Sequence, residues 1–416
     1  MMCKRNVFNF LNSYNRKMWF IRFITPDQSG MKINADMTAP PARFRLKEVF
    51  ATRIVARTET IFWYASEMDR RRYFYCEIAI FLAWAAAPVF GGGVFENESR
   101  EPETCPGNQC EIRPQDQVWK ISTRHLGPCG HDCTSKSPDL AYQRFIPGKG
   151  WVCSNESEFF ANDDSNRTTV AYVHGNRMTS EWALDHGFKV YCMLSRVHQS
   201  GGCDCQACGQ CDTRHPGPMR FVVWSWPSEP IPRQCRVIKD ARVKATRTAM
   251  QSNYLGWWLS RLHPNQNVGL IGYSYGARTI LGGLHMLAGG SLDGRTLPAA
   301  RYGNTVTPKI VLWATACQAD WIVPGNRYGC ATSKLSQALI TFNRWDPVLR
   351  RYVRTLPEST GPALGSVGVV GACRIPAACR INVLNVQREV GRRHEFLRYV
   401  NSVDIATQSQ RIALWQ

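Results

Sequence analysis

Residues 267–279, Asn-Val-Gly-Leu-Ile-Gly-Tyr-Ser-Tyr-Gly-Ala-Arg-Thr, admit few folds. Val268, Leu270 and Ile271 form an apolar run of the length of one buried strand. Gly272-Tyr273-Ser274-Tyr275-Gly276 follows at once, and Ala277–Leu287 reads as a helix with small residues at Ala277, Gly282 and Gly283. A G-x-S-x-G between a strand and a helix is the context of a nucleophile elbow, a sharp turn that lifts the serine hydroxyl above a sheet. Gly272 and Gly276 carry no side chains, so strand and helix can approach closely. The turn also sets the Ser274 hydroxyl near a helix N-terminus, where unpaired N–H groups favour negative charge. Without a partner acid and base, the same pattern is only a Gly-rich strand–helix turn.

The rest of the chain supplies a matching alternation. Val118–Leu126 predicts a first strand and Gly127–Gly150 a loop. Trp151–Ser154 and Glu158–Ala161 lead into a β-branched strand, Thr168–Val173, which ends in His174-Gly175-Asn176-Arg177. Ser180–His186 begins a helix and Lys189–Leu194 reads as another strand. An insertion at 198–218 precedes the strand Arg220–Trp226 and the long helical stretch Asp240–Leu262. Beyond the elbow, Lys309–Ala314, Leu335–Phe342 and Cys379–Val386 read as strands, with Gly391-Arg392-Arg393-His394 after the last. No internal repeat is visible. Strands alternating with helices at this spacing predict an α/β fold, a mostly parallel central sheet covered by helices on both faces. Such sheets bind ligands beyond the C-terminal ends of their strands. Ser274, Asp346, His174 and Asn176 all fall just after predicted strands.

A serine hydroxyl needs a base to take its proton. His394 is the candidate base, because imidazole accepts and returns a proton near neutral pH. The competing reading is a surface histidine among Arg392, Arg393 and Glu395. Asp346 is the candidate acid, orienting the imidazole and stabilising its charged form. Its bland reading is a turn or cap residue before Pro347, and Asp320 is the rival carboxylate. The candidate oxyanion donors are the backbone N–H of Tyr275 and one from the loop after Val173, Asn176 or Arg177. His125, His263 and His285 read as ordinary polar or packing residues. Trp224, Trp226, Trp257, Trp258, Trp313 and Trp321 suit a core or the wall of a cleft.

In the order Ser274, Asp346, His394, with the strand-ending His174-Gly175 and the Gly-Tyr-Ser-Tyr-Gly turn, residues 118–416 resemble the α/β-hydrolase superfamily. Phe-Val-Val-Trp-Ser-Trp-Pro-Ser at 221–228 and Asp346-Pro-Val-Leu resemble a little-characterised bacterial esterase/lipase-like branch of it. The resemblance implies a serine hydrolase acting through an acyl-enzyme on a small-molecule ester or acyl substrate, with no cofactor and no metal. Peptidase or amidase activity on the same machinery is the alternative, as is a silent hydrolase fold used for binding. It also implies that His174 shapes the oxyanion loop and takes no part in proton transfer.

The formal net charge of +19 raises the question of nucleic acid. The basic residues are spread along the chain and no zinc-finger, RNP or basic-helix signature accompanies them, so the expectation is no nucleic acid. The 17 cysteines, most of them between Cys105 and Cys235, favour an oxidising compartment. Met68-Asp-Arg-Arg-Arg72 followed by the largely apolar Tyr73–Ala87 has the make-up of a signal peptide. Residues 1–67 would then precede the true start at Met68 as an over-called or disordered extension, and 91–117 would be a linker. A membrane anchor over 68–90 and a buried helix are the competing readings. The expected localisation is secreted or periplasmic. Cys203, Cys205, Cys208 and Cys211, within the 198–218 insertion, suit disulfides in such a compartment, and a zinc ion or iron–sulfur cluster otherwise.

Overall fold

The computed structural model describes residues 110–126, 137–161, 166–196, 217–231, 237–376 and 379–414. The expectations for 1–67, for 68–90 and for the cysteine set at 203–211 lie outside these residues. Among the described residues no helix is long and apolar enough to cross a membrane.

The described residues build one nine-stranded sheet. Its strands are β1 (Gln117–Ser122), β2 (Ala141–Ile146), β3 (Gly150–Ser154), β4 (Thr168–Val173), β5 (Met219–Ser225), β6 (Val268–Tyr273), β7 (Lys309–Trp313), β8 (Gln337–Phe342) and β9 (Arg380–Asn385). The order across the sheet is β3-β2-β1-β5-β4-β6-β7-β8-β9. β2 runs antiparallel to both β1 and β3, and every other neighbouring pair is parallel. This is the mostly parallel α/β architecture that the alternation predicts.

The parallel centre must be covered on both sides, and its sequence shows it: β5 and β6 are buried at every position. Successive side chains of a strand face opposite ways. Val223 meets Gly187 of the helix α2 (Ser180–Ser195). Trp224, the next residue, meets Trp258 of α3 (Val237–Arg261) with ring centroids 5.9 Å apart. One face therefore carries α2 with α5 (Phe396–Asn401) and α6 (Val403–Leu414), and the other carries α3 with α4 (Tyr275–Leu287). Between α2 and β4 in sequence order lies only the 174–179 loop, and a short helix, α1 (Glu156–Ala161), precedes β4.

Two local expectations fail. Lys189–Leu194 is not a strand: it continues α2, which is started by Thr179, whose hydroxyl accepts from Trp182 N–H (3.3 Å). Val190 to Leu194 is a continuous apolar run, and Val190, Tyr191, Met193 and Leu194 are all buried within the helix. Gly127–Gly150 is not all loop: Ala141–Ile146 is β2, paired on one side with β1 and on the other with β3. Its burial is partial, so it lacks the apolar run that marks the central strands.

Candidate active site

The elbow forms where the sequence puts it. β6 ends at Tyr273 and α4 begins at Tyr275, leaving Ser274 alone at φ +54°, ψ −113°. That conformation is uncommon for a residue with a side chain and marks stored strain. Three hydrogen bonds hold it: Ser274 N–H donates to Trp313 O (2.9 Å), and Ser274 O accepts from Arg278 N–H and Ala316 N–H, both at 3.3 Å. The flanking glycines are required by contact. A Cβ on Gly272 would lie 2.6 Å from Ala277 N, and one on Gly276 would collide with the Val173 carbonyl oxygen.

The three side chains nominated from sequence come together. Ser274 Oγ lies 3.2 Å from His394 Nε2, and His394 Nδ1 lies 2.7 Å from Asp346 Oδ2. Asp346 is fully buried, and the His394 side chain keeps 15% exposure. The other carboxylate oxygen, Asp346 Oδ1, accepts from Val348 N–H (2.9 Å) and Leu349 N–H (3.0 Å), so the acid cannot rotate away. The histidine loop is anchored by Asn343, the residue after β8, whose Nδ2 donates to Gly391 O (2.7 Å). Gly391 takes φ +70° at that turn. The Tyr273 ring packs against the imidazole at 5.3 Å between centroids. Asp320, the rival acid, accepts from Gln318 Nε2 (2.8 Å), and its backbone carbonyl takes Asn326 Nδ2 (2.7 Å).

The start of α4 abuts the end of β4, where a Cβ on Gly276 would meet the Val173 and His174 carbonyl oxygens, so the loop after β4 begins beside the elbow. Arg177, at φ +62°, donates its backbone N–H to Ser228 O (2.7 Å). That N–H is engaged, whereas the Asn176 and Tyr275 N–H groups make no hydrogen bond among the described residues. Of the two loop candidates, Asn176 retains a free donor. The Asn176 side chain is tied down instead: Nδ2 donates to Asp240 Oδ2 (3.1 Å). Asp240 is buried and also receives Ile231 N–H (3.1 Å), Lys244 Nζ (3.3 Å) and Arg177 Nη1 (3.7 Å). Burial lowers the Lys244 pKa, and Asp240 opposes that shift.

His174 sits behind this loop with no exposed surface. Burial, with the Arg124 guanidinium, pushes its pKa well below the usual imidazole range. The neutral ring donates from Nδ1 to Gly175 O (2.9 Å) and accepts at Nε2 from Trp226 N–H (3.1 Å). Among the described residues it forms no hydrogen bond with Ser274, and its bonds brace the loop. Arg124 is held in turn by Glu229, by Ser225 Oγ (2.7 Å) and by Met178 O (3.2 Å).

Sequence reading does not single out Asp240, Asn343, Arg124 or Ser228. Asp240 appears there only as a helix start, 64 residues from Asn176. The six tryptophans considered as cleft walls are all buried. Among the described cysteines, Cys110, Cys153, Cys192, Cys317, Cys330, Cys373 and Cys379 carry free thiols. Cys110 lies beside Cys192, and the hydrogen bond from that neighbour draws its pKa down to about 6.

No family model matches the chain, and no curated protein matches it. Among solved structures, it is similar to the product of a Listeria innocua gene, at 11% identity and a TM-score of 0.30, covering 59% of this chain and 93% of that one. It is also similar to a crystal structure of esterase B from Lactobacillus rhamnosis with a tributyrin phosphonate, at 11% identity and a TM-score of 0.25, covering 83% of this chain and 98% of that one.

Proposed function

We propose that the chain is a serine hydrolase that cleaves carboxylic esters through an acyl-enzyme. One observation carries the reading: an unbroken line of hydrogen bonds from the strained Ser274 through His394 to a buried Asp346. The Ser274 oxygen attacks the ester carbonyl carbon while His394 Nε2 takes its proton. Asp346 fixes the tautomer, with Nδ1–H donated to it, and offsets the charge of the imidazolium. The carbonyl oxygen becomes an oxyanion facing the N–H groups of Tyr275 and Asn176. The tetrahedral intermediate collapses, and the alcohol departs with the proton from His394. Water then repeats the sequence with His394 as base, releasing the acid and restoring the serine.

The test is a panel of short- and long-chain acyl esters and aminoacyl amides, assayed with the wild-type chain and with Ser274→Ala. Ester turnover by the wild type that falls roughly 10⁵- to 10⁶-fold in the variant supports the reading. Turnover that survives the substitution overturns it.

A further inference from the structure

Near the start of α4, several buried polar atoms have no hydrogen-bond partner among the described residues. Arg278 lies one helical turn beyond Ser274 on α4 and is only 2% exposed. Its Nη2 donates to Glu358 Oε1 (3.1 Å), a carboxylate that keeps a third of its surface in solvent. Its Nε and Nη1 are buried and have no hydrogen-bond partner among the described residues. The guanidinium carbon sits 5.1 Å from the centre of the Trp321 ring and 5.9 Å from that of Tyr275. Aromatic faces hold the cation in place without using its edge N–H groups. Beside it, Tyr352 is 4% exposed and its hydroxyl is likewise buried without a partner. Tyr275 is excluded from this set, because its hydroxyl donates to Ala241 O (2.9 Å).

Native folds pair nearly all their buried polar groups, and an orphan set at one spot calls for an explanation. A guanidinium can only donate, so the missing partner is an acceptor. Long side chains on a helix lean toward its N-terminus, which for Arg278 means toward Ser274 and the oxyanion donor Tyr275. An acceptor lodged against Arg278 and Tyr352 would therefore belong to the same molecule whose carbonyl meets Ser274. A carboxylate matches best: it is acceptor-only, it forms the stronger charge-assisted bonds, and the net charge of +19 favours its approach.

Resting on the ester-hydrolase reading above, we infer that the preferred substrate is an ester bearing a carboxylate, received by Arg278 Nε and Nη1 and by the Tyr352 hydroxyl while Ser274 attacks the ester carbonyl.

The experiment compares p-nitrophenyl monoglutarate with p-nitrophenyl pentanoate, esters of similar length that differ in the terminal charge. The full-length wild type, Arg278→Gln and Tyr352→Phe are assayed, with circular dichroism to confirm folding. The expected result is a wild-type kcat/KM about 10- to 100-fold higher for the monoglutarate. Both variants should shrink that ratio, mainly through KM. Tyr352→Phe is the more tolerant change, since it removes a hydroxyl that has no hydrogen-bond partner among the described residues. The wild-type ratio needs no variant, so the test stands even if Arg278→Gln fails to fold. A wild-type ratio near one overturns the inference, as does a ratio that Tyr352→Phe leaves unmoved; either would assign the orphan atoms to buried water. If neither ester is hydrolysed and Ser274 does not react with a fluorophosphonate, the ester-hydrolase reading itself fails, which is a different outcome from equal hydrolysis of both.

Discussion

The line from Ser274 to Asp346 and the surroundings of Arg278 differ in how completely their polar atoms are satisfied. Every member of the line is engaged: Ser274 with His394, His394 with Asp346, and Asp346 with two backbone N–H groups. Around Arg278, three buried donor atoms have no protein partner among the described residues. A set built for proton transfer can be complete before any substrate arrives, because its partners belong to the chain. A set built for recognition is completed only by a ligand. The contrast separates the residues that carry the proposed chemistry from those that would choose its substrate.

The sharpest way to break the comparison is to remove one member of the complete line. His394→Ala should lower kcat by roughly 10⁵- to 10⁶-fold, about as much as Ser274→Ala, because the members act as a unit. Steady-state rates on a neutral ester check this, and two markedly different losses would deny that the residues work together. Asp346→Asn is expected to lose about 10⁴-fold. Asp320→Asn should change the rate by no more than a few-fold, since its partners are Gln318 and Asn326. A large loss at Asp320 with a small one at Asp346 would move the acid.

A smaller effect tests the floor of the oxyanion loop. Asp240→Asn removes the charge that gathers Asn176, Arg177 and Lys244. Loss of one oxyanion donor costs about 10²- to 10³-fold in kcat in subtilisin, and this substitution should cost up to about 10²-fold, because the donor is loosened and still present. It also leaves Lys244 buried without its charged partner, with only the Glu229 carbonyl to accept from it, a loss of about 3 kcal/mol of stability by urea unfolding. A stable variant with an unchanged kcat would show that the loop holds its own shape.

The smallest effect is on pH. Burial lowers the pKa of His186 to about 3 and puts His174 well below the usual range. In the unfolded chain both titrate near about 6.5. Above that pH neither state binds the protons, and these groups leave stability untouched. As pH falls below it, the unfolded state takes up protons that the fold refuses, so stability declines. For His186 the decline ends near pH 3, where the folded state also protonates. His186 stacks on Phe396, with ring centroids 3.8 Å apart. Urea midpoints measured from pH 7 to 4 should fall less steeply in His186→Phe than in the wild type.

The features that sequence reveals are those fixed by local pattern. The elbow is legible because two glycines and an apolar run are adjacent. β4 and β5 are legible because strands buried on both faces carry near-continuous apolar runs, here Val170–Val173 and Phe221–Trp224. β2 is hidden because its burial is partial and Gln143-Arg144 interrupts its apolar residues. The second half of α2 misleads because an apolar run of that length fits either a buried helix or a strand. At the candidate site, Ser274, Asp346 and His394 could be nominated from their order along the chain. Asp240, Asn343 and the orphan edge of Arg278 could not, because each takes its meaning from a partner, or from the lack of one, that only the folded chain defines.

The central claim is that the elbow hydroxyl is a nucleophile made ready by the imidazole beside it. Incubating the wild type, Ser274→Ala and His394→Ala with a fluorophosphonate probe tests it most directly, since the probe forms a covalent bond to an activated serine without requiring knowledge of the substrate. Stoichiometric labelling of the wild type at Ser274, absent from the alanine variant and strongly slowed in His394→Ala, is the predicted result. A folded wild type that never labels, or one that labels at another residue, would contradict the account.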